Sequence, residues 1–231
     1  SNIMGFYRGP NIVTDGLVFA VDAGSERSYP GTGTTVNNLV SSTTATLTNS
    51  PGFSTSNGGI WTFDGADDYI QTNTTTTPAT GAFTIEFIYQ KSNTGGRGGM
   101  FERNSSSPYN GVTLGQGGPG DWSFAVNNGS QSVQYSAPYP TINTWYHDVG
   151  VYNGVNTVKF YRNGVLLGTT TGATLGNLDT GGTRINLRIF SRDGSSGVIG
   201  GKVANFRTYN IALTAAQVLQ NFNAQKSRFG L

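Results

Sequence analysis

Two Asn-Gly pairs, each standing between short apolar runs, restrict the fold of this chain more than any other feature. Asn153-Gly154 and Asn163-Gly164 occupy these positions. Asn-Gly favours a two-residue β-hairpin, because both central residues of that turn need positive φ. Roughly a dozen short strand-like runs, separated by turn residues at regular spacings, follow one another along the sequence, which is typical of a sandwich or jelly roll. We therefore predict an all-β fold, an antiparallel two-sheet β-sandwich.

The composition favours one domain of this kind. The chain has 231 residues, of which 34 are glycine, and 11% of its residues are charged. All-β sandwiches of this length commonly form single domains, and aromatic residues, 12% of this chain, supply large buried areas. We expect one domain over residues 16–231. Residues 1–15 are polar and mixed, with Pro10 interrupting any regular ladder, and form either an arm or a frayed terminus.

The end of the chain predicts a strand, a turn and a helix. Residues 202–209 alternate with the period of a half-buried strand. Thr214 is a good N-cap, and Gln217 stands three positions on, where a capping box needs it. An apolar stripe follows, formed by Val218, Leu219 and Phe222. These signals indicate a short C-terminal helix.

Charge and composition argue against several classes of partner. The net charge of +2 comes from 14 basic and 12 acidic side chains spread along the sequence, so no basic stripe indicates nucleic acid. Lys226 and Arg228 are better explained by the dipole of the preceding helix. The chain has no cysteine, and no apolar run approaches membrane-spanning length. Its first residues do not resemble a signal peptide, so we expect synthesis in a cytoplasm and no membrane partner.

Several motifs resemble the laminin-G-like, concanavalin A-like jelly-roll superfamily. The family's closing turn is matched by residues 209–214, YNIALT, and its F-D-G strand by residues 61–71, WTFDGADDYIQ. Residues 145–169 are similar to the family's three-strand meander, except that Asp148 stands where valine is commoner. That departure leaves the facing of this strand open. The resemblance covers nearly the whole chain and implies a jelly-roll sandwich.

Two segments resemble a narrower group, the laminin-G-like proteins among tailed-phage virion proteins. These segments are residues 11–33 and the tail 220–231, QNFNAQKSRFGL. The resemblance implies a structural protein of the virion surface, either a decoration protein or an appendage. It implies self-association into a homo-oligomer and attachment to other virion proteins of the capsid or tail.

Hydrolysis has to be weighed because the superfamily also includes retaining β-glucanases. Those enzymes present two carboxylates from an E-x-D-x-x-E strand. In the corresponding residues 83–90, Glu86 is the only acid, and Ile88 stands where the motif needs its aspartate. The sole histidine, His147, lies within a strand, and the DGSSG stretch from Asp193 has the wrong spacing for a nucleophile elbow. We predict no enzymatic activity, unless carboxylates from elsewhere form a hydrolytic site.

Calcium is the one metal that the sequence suggests. Asp64, Asp67 and Asp68 bracket a glycine turn and offer the hard oxygen ligands that calcium prefers. Asp22, at the end of the first buried strand, could contribute another carboxylate. Alternatively, Asp64 and Asp67 bond the backbone of their own turn, as aspartates do in Asx-turns.

Glycan binding would require exposed aromatic rings near polar groups. Four aromatic residues lie in or near the loops between residues 104 and 140, namely Tyr109, Trp122, Tyr135 and Tyr139. Each could instead be core material, because aromatic residues dominate sandwich cores. Two hypotheses follow: a tailed-phage virion surface protein, which could adhere to a cell-surface polysaccharide of its host, and a carbohydrate-binding module of a fibre or a bacterial surface protein.

Overall fold

The computed structural model describes residues 10–104, 106–118, 120–192 and 198–231. Most of the expected arm, residues 1–9, and the DGSSG stretch at 193–197 lie outside these ranges. The described residues form sixteen strands and one α-helix. In chain order they are β1 Leu17–Asp22, β2 Thr35–Asn37, β3 Thr44–Thr48, β4 Gly52–Ser54, β5 Ile60–Asp64, β6 Tyr69–Thr72, β7 Phe83–Lys91, β8 Gly98–Arg103, β9 Gly111–Gln116, β10 Ser123–Asn127, β11 Ser132–Ser136, β12 Trp145–Tyr152, β13 Thr157–Arg162, β14 Val165–Thr171, β15 Arg188–Ile189, β16 Gly200–Tyr209 and α1 Ala215–Gln225.

The strands form two antiparallel sheets, so the predicted sandwich is confirmed. One sheet, which we call the helix-side sheet, has the order β14-β13-β12-β7-β16-β5-β4, with β1 also paired to β16. The other, the open sheet, has the order β11-β10-β9-β8-β15-β6-β3-β2. Both contain eight strands within the described residues.

The core lies between the two sheets, and β7 shows how the sequence fills it. Phe83, Ile85, Phe87 and Tyr89 alternate along this strand and belong to the main core cluster. The intervening residues point to the opposite face, because side chains of a strand alternate with period two. That face is buried as well, since Glu86 and Ile88 are both inaccessible to solvent. The strand therefore has packing partners on both faces.

Helix α1 covers the outer face of the helix-side sheet. The predicted capping box is present: Thr214 Oγ1 accepts from Gln217 N at 3.3 Å, and Gln217 Oε1 accepts from Thr214 N at 2.9 Å. The predicted apolar stripe needs correction, because Leu219 is 45% exposed. The residues that α1 buries are Val218, Asn221 and Gln225. Two of these are polar because the sheet beneath them presents Glu86 and Arg207. None of the helices in the described ranges is long and apolar enough to cross a bilayer.

Candidate functional site

The four predicted glycan-binding aromatic residues differ in exposure, and Tyr109 is the most exposed of them. Tyr109 is 43% exposed, whereas Trp122 is completely buried. The prediction for Trp122 therefore needs correction. Its indole stacks on Tyr89 with ring centroids 5.1 Å apart, and Nε1 donates to Asp148 Oδ2 at 2.8 Å. Trp122 faces inward because the residue it hydrogen-bonds lies between the sheets.

Asp148 resolves the question that its departure from the family pattern left open. Its carboxylate is fully buried and faces the core, where Tyr89 Oη donates to Oδ2 at 2.8 Å. Arg162 donates from Nε and Nη2 to the two carboxylate oxygens, both at 2.8 Å. Burial raises the pKa of Tyr89 well above its usual value, and the adjacent Asp148 charge raises it further. Asp148 therefore stabilises the core and is not accessible to a ligand.

Tyr135 and Tyr139 are partly buried and hold polar partners of their own. Tyr135 Oη donates to Leu167 O at 2.9 Å, and its ring packs against Phe160 at 6.1 Å. Tyr139 Oη donates to Thr94 O at 2.9 Å and also receives a hydrogen bond from Lys91 Nζ. Both rings are fixed against the core, so Tyr109 is the most accessible of the four.

Lys91, which the sequence analysis did not single out, is a buried cation beside Tyr139. Nζ donates to Gln116 Oε1 at 2.8 Å and lies 4.7 Å from the Tyr139 ring centroid and 5.4 Å from that of Trp122. Within the described ranges it has no carboxylate at salt-bridge distance. Burial lowers the pKa of this ammonium to about 8.

Tyr109 lies where two loops meet at one end of the open sheet. Asn110 Nδ2 donates to Leu178 O at 2.8 Å and to Gly182 O at 2.6 Å, which ties the β8–β9 loop to residues 177–184. Tyr109 has a positive φ of 59°. The guanidinium carbon of Arg103, the last residue of β8, lies 5.0 Å from the Tyr109 ring centroid, in cation–π geometry. The result is an exposed aromatic ring beside a cation.

A buried ion pair supports this loop end from below. Glu102 is 1% exposed and accepts from Arg184 Nη1 at 3.2 Å, while Oε1 also accepts from Thr77 N at 2.9 Å. Arg184 Nε donates to Asp179 at 2.7 Å. Burial raises the pKa of Glu102, although the hydrogen bonds of Thr77 and the Arg184 charge oppose that shift. These contacts hold β8 and residues 177–184 in fixed positions.

The three aspartates of the glycine turn converge. Carboxylate oxygens of Asp64, Asp67 and Asp68 all lie within 4.8 Å of one another. Asp64 Oδ1 accepts from Ala66 N at 2.7 Å, so the expected Asx-turn is present at this residue, and Asp68 Oδ2 accepts from Asp64 N at 3.1 Å. Burial raises the pKa of Asp68; the backbone hydrogen bond lowers it, and the neighbouring Asp64 and Asp67 charges raise it again. The donors are hard oxygens and fit calcium.

The structure does not bring Asp22 to this acidic turn. Its carboxylate pairs with Arg228 Nη1 at 2.9 and 2.8 Å and accepts from Gly24 N at 2.8 Å. Arg228 therefore serves as a clamp between the C-terminal tail and the end of β1. Lys226 lies over the Phe222 ring at 5.6 Å.

A third buried acid, Glu86, lies beneath α1. Glu86 Oε2 is 3.2 Å from Nε2 of His147, which is also buried, and Oε1 accepts from Arg207 Nη1 at 3.1 Å. Asn221 Nδ2 of the helix donates to both Glu86 oxygens, at 3.2 and 3.1 Å. Burial raises the pKa of Glu86, but His147, Arg207 and Asn221 outweigh it and hold the pKa at about 2. The acid binds the helix to the sheet.

Comparison with known proteins identifies the family and the fold. Residues 64–219 match the family model described as the concanavalin A-like lectin/glucanases superfamily. No curated protein sequence matches the chain significantly.

Solved structures with similar folds share little sequence with this chain. The receptor-binding domain of botulinum neurotoxin C/D mosaic serotype has a TM-score of 0.70 and 11% identity, covering 92% of this chain and 52% of its own. The ligand-binding domain of botulinum neurotoxin serotype D, solved in complex with N-acetylneuraminic acid, has a TM-score of 0.71 and 10% identity, covering 91% of this chain and 51% of its own. Trypanosoma rangeli sialidase has a TM-score of 0.64 and 15% identity, covering 94% of this chain and 34% of its own. The chain thus spans about half of the toxin domains and a third of the sialidase, and at these identities the likeness shows the fold alone.

Proposed function

Because the chain belongs to the concanavalin A-like lectin/glucanases superfamily, we propose that it is a non-enzymatic glycan-recognition module carried on the surface of a tailed-phage virion. One observation carries the glycan part of this proposal: Tyr109 is exposed and lies beside the Arg103 guanidinium on a braced loop end. An aromatic ring offers a flat apolar surface to the C–H face of a sugar, and a guanidinium donates directed hydrogen bonds to hydroxyls or a carboxylate.

The positions of the acids support recognition rather than hydrolysis. A glycosidase needs two carboxylates free to act on either side of the scissile bond. Glu86, Glu102 and Asp148 are buried and bound to arginine or histidine side chains. Within the described ranges, one group of carboxylates lies close enough together to hold a metal ion, namely Asp64, Asp67 and Asp68 of the acidic turn. Asp64 and Asp68 already accept hydrogen bonds from backbone N–H groups there.

The virion placement rests on the tail, residues 220–231, and its resemblance to tailed-phage proteins. In the fold this segment forms the end of α1 and the residues after it, which pack on the outer face of the helix-side sheet. Phe229 packs on Trp145 with ring centroids 4.8 Å apart, and Arg228 clamps Asp22. The tail therefore stabilises the domain by packing against it. A module that acts by adhesion would need to be displayed on the surface of the assembled particle.

Substitution of the exposed ring tests the glycan proposal. The probes are an oligosaccharide array with neutral and sialylated members, the latter chosen because a structural neighbour was solved with N-acetylneuraminic acid. Tyr109→Ala should weaken binding by roughly tenfold or more, about 1.4 kcal/mol. Tyr69→Ala is the matched control, since Tyr69 also lies beside an arginine, with Arg188 at 5.6 Å, but on a different strand of the open sheet.

Equal loss in both variants, or no binding by the wild-type protein, would overturn the proposal. Release of new reducing ends from any bound oligosaccharide would overturn its non-enzymatic part. Both readouts come from the same samples.

A purely structural virion role is the second candidate, and an apolar surface favours it. Val165 and Leu166 of the edge strand β14 are 62% and 44% exposed, and Leu219 of α1 is 45% exposed. The three lie near one another, because Gly164 packs against Leu219 and Phe222. Exposed apolar clusters commonly mark association surfaces, and homo-oligomers are usually closed and symmetric.

Light scattering over a range of concentrations tests self-association. The wild-type protein should form a closed oligomer that Val165→Lys dissociates, whereas Val40→Lys, at a position 45% exposed on another surface, should leave its mass unchanged. A monomer at every concentration would count against this candidate.

A further inference from the structure

The helix-side sheet has a crevice where β16 changes partners. Along one side of β16, residues 200–203 pair with β5 and residues 205–209 pair with β1. On the other side of β16, its register with β7 shifts between Val203 and Asn205. Ala23 N donates to Ala204 O at 2.9 Å. The segment that follows β1 and the segment that precedes β5 touch at Gly24 and Gly58. Beside this contact lies a cavity of about 230 Å³, lined by Ala23, Gly24, Glu26, Tyr29, Pro30, Gly31, Phe53, Thr55 and Gly58.

Two aromatic rings form the apolar surface of this crevice. Tyr29 is 4% exposed and meets Phe53 edge to face with ring centroids 5.3 Å apart. Tyr29 also contacts the buried Trp61 at 5.8 Å, and its hydroxyl donates to Gly33 O at 2.9 Å, so this ring is fixed. Phe53 is only partly buried and packs against the core cluster. Phe53 is the more accessible of the two rings, and its packing on Tyr29 and the core holds it in place.

The frame of the crevice is held by contacts that do not involve a ligand. Arg228 pairs with Asp22 and also donates from Nη2 to Gly59 O at 2.7 Å. Gly24 lies so close to Gly58 that a Cβ on it would overlap the Gly58 carbonyl oxygen. Because the two walls are already locked together, little conformational entropy would be lost on binding.

The polar groups of the crevice determine which ligand it suits. Glu26 and Thr55 are exposed members of its lining and can accept or donate hydrogen bonds. The Arg228 guanidinium, which lies against Gly24 and Gly58, is neutralised by Asp22. A carboxylate at the entrance disfavours anionic ligands and accepts hydrogen bonds from hydroxyl groups. The volume is below the roughly 300–1,000 Å³ typical of sites for drug-sized ligands, so it suits one sugar ring.

We propose that this crevice is a second glycan subsite, which binds a single neutral pyranose with its C–H face on Phe53 and its hydroxyls toward Glu26 and Thr55. This inference rests on the proposed function and adds to it a second site, which takes a neutral sugar.

Ligand-observed NMR titration of the full chain tests the subsite. The probes are methyl α-glucoside and methyl β-galactoside as neutral sugars and N-acetylneuraminic acid as the acidic one. Phe53→Leu keeps apolar volume but removes the ring, and Glu26→Gln removes only the charge of an exposed residue. We expect each to weaken binding of at least one neutral methyl glycoside roughly tenfold, with binding of N-acetylneuraminic acid unchanged. Asp15 is another exposed acid, and Asp15→Asn should change the affinity for neither the neutral glycosides nor N-acetylneuraminic acid.

The outcomes separate this inference from the function on which it rests. Neutral-sugar affinity that is unchanged in Glu26→Gln and Phe53→Leu overturns the crevice subsite, as does a wild-type protein that binds only N-acetylneuraminic acid; both leave glycan recognition standing. A wild-type protein that binds none of the three sugars overturns glycan recognition itself. Should Phe53→Leu fail to fold, Glu26→Gln decides alone.

Discussion

The Asp148 carboxylate lies between the sheets and accepts hydrogen bonds from Tyr89, Trp122 and Arg162. A buried charge is tolerated when its lone pairs are satisfied in this way, and removal of one member leaves the others without partners. The sequence marked Asp148 as unusual but did not indicate which way it faces. Only the pairing of β12 with β7, in which Asp148 lies opposite Phe87, places it on the core face.

Asp148→Asn should therefore lower the free energy of unfolding by about 3–5 kcal/mol, because Arg162 would be left buried without its counter-charge. Urea denaturation measures the change. Asp179→Asn is the matched control, since its side chain is 40% exposed and its partner Arg184 keeps Glu102 as a counter-charge, so the loss should be clearly smaller. Similar losses in the two variants would contradict the role given to Asp148.

Lys91 is destabilising in its charged form, and this predicts an unusual pH dependence. Burial lowers its pKa to about 8 in the folded protein, below its usual 10.5. The unfolded chain therefore binds more protons between these values, and stability should rise as the pH increases from about 8 toward 10. Lys91→Met should abolish this rise and leave stability at pH 7 equal or higher. A rise that persists in Lys91→Met would show that another group causes it.

Helix α1 illustrates what periodicity can and cannot predict at the scale of an element. Its start was predictable, because the capping box is a local pattern. Its buried face was not, since Asn221 and Gln225 are polar and their partners, Glu86 and Arg207, lie more than a dozen residues away in sequence. A stripe of apolar residues identifies the packed face only where the opposing surface is apolar.

Glu86 should make the attachment of α1 sensitive to acid. Its folded pKa of about 2 is below its usual 4.5, so its contribution to stability is complete above about 4.5 and is lost as the pH falls toward 2. Glu86→Gln should lower stability at pH 7 by about 3 kcal/mol and flatten this acid-range decline. Hydrogen exchange should then show faster opening of α1. An unchanged acid profile would contradict the proposed contact.

The acidic turn between β5 and β6 gives a test of calcium. If Asp64, Asp67 and Asp68 bind the ion, calcium must raise the melting temperature relative to a chelator, because a ligand of the folded state stabilises it. Asp68→Asn should abolish the increment. Asp22→Asn should lower the baseline by breaking the Arg228 pair but leave the increment intact. No difference between calcium and chelator would exclude calcium binding at this turn.

At the scale of the whole molecule, the sandwich was predictable because its signals are local. Alternating runs identified most strands, including β15 within residues 185–191, but β2 and β4 have three residues each, too few to establish a period. Asn163-Gly164 forms the predicted two-residue turn with positive φ at both residues, whereas Asn153-Gly154 begins a four-residue loop. The candidate sites were less accessible to sequence reasoning. Exposure of Tyr109 and burial of Trp122 depend on loop packing, and the crevice lies where β16 exchanges β5 for β1 as its partner.

The most direct test of glycan recognition without hydrolysis is a backbone amide NMR titration of the intact protein with a sialylated oligosaccharide. We predict saturable shifts centred on residues 103–110 and 177–184, with the oligosaccharide recovered uncleaved. Shifts absent from these loops, or cleavage of the oligosaccharide, would contradict the account.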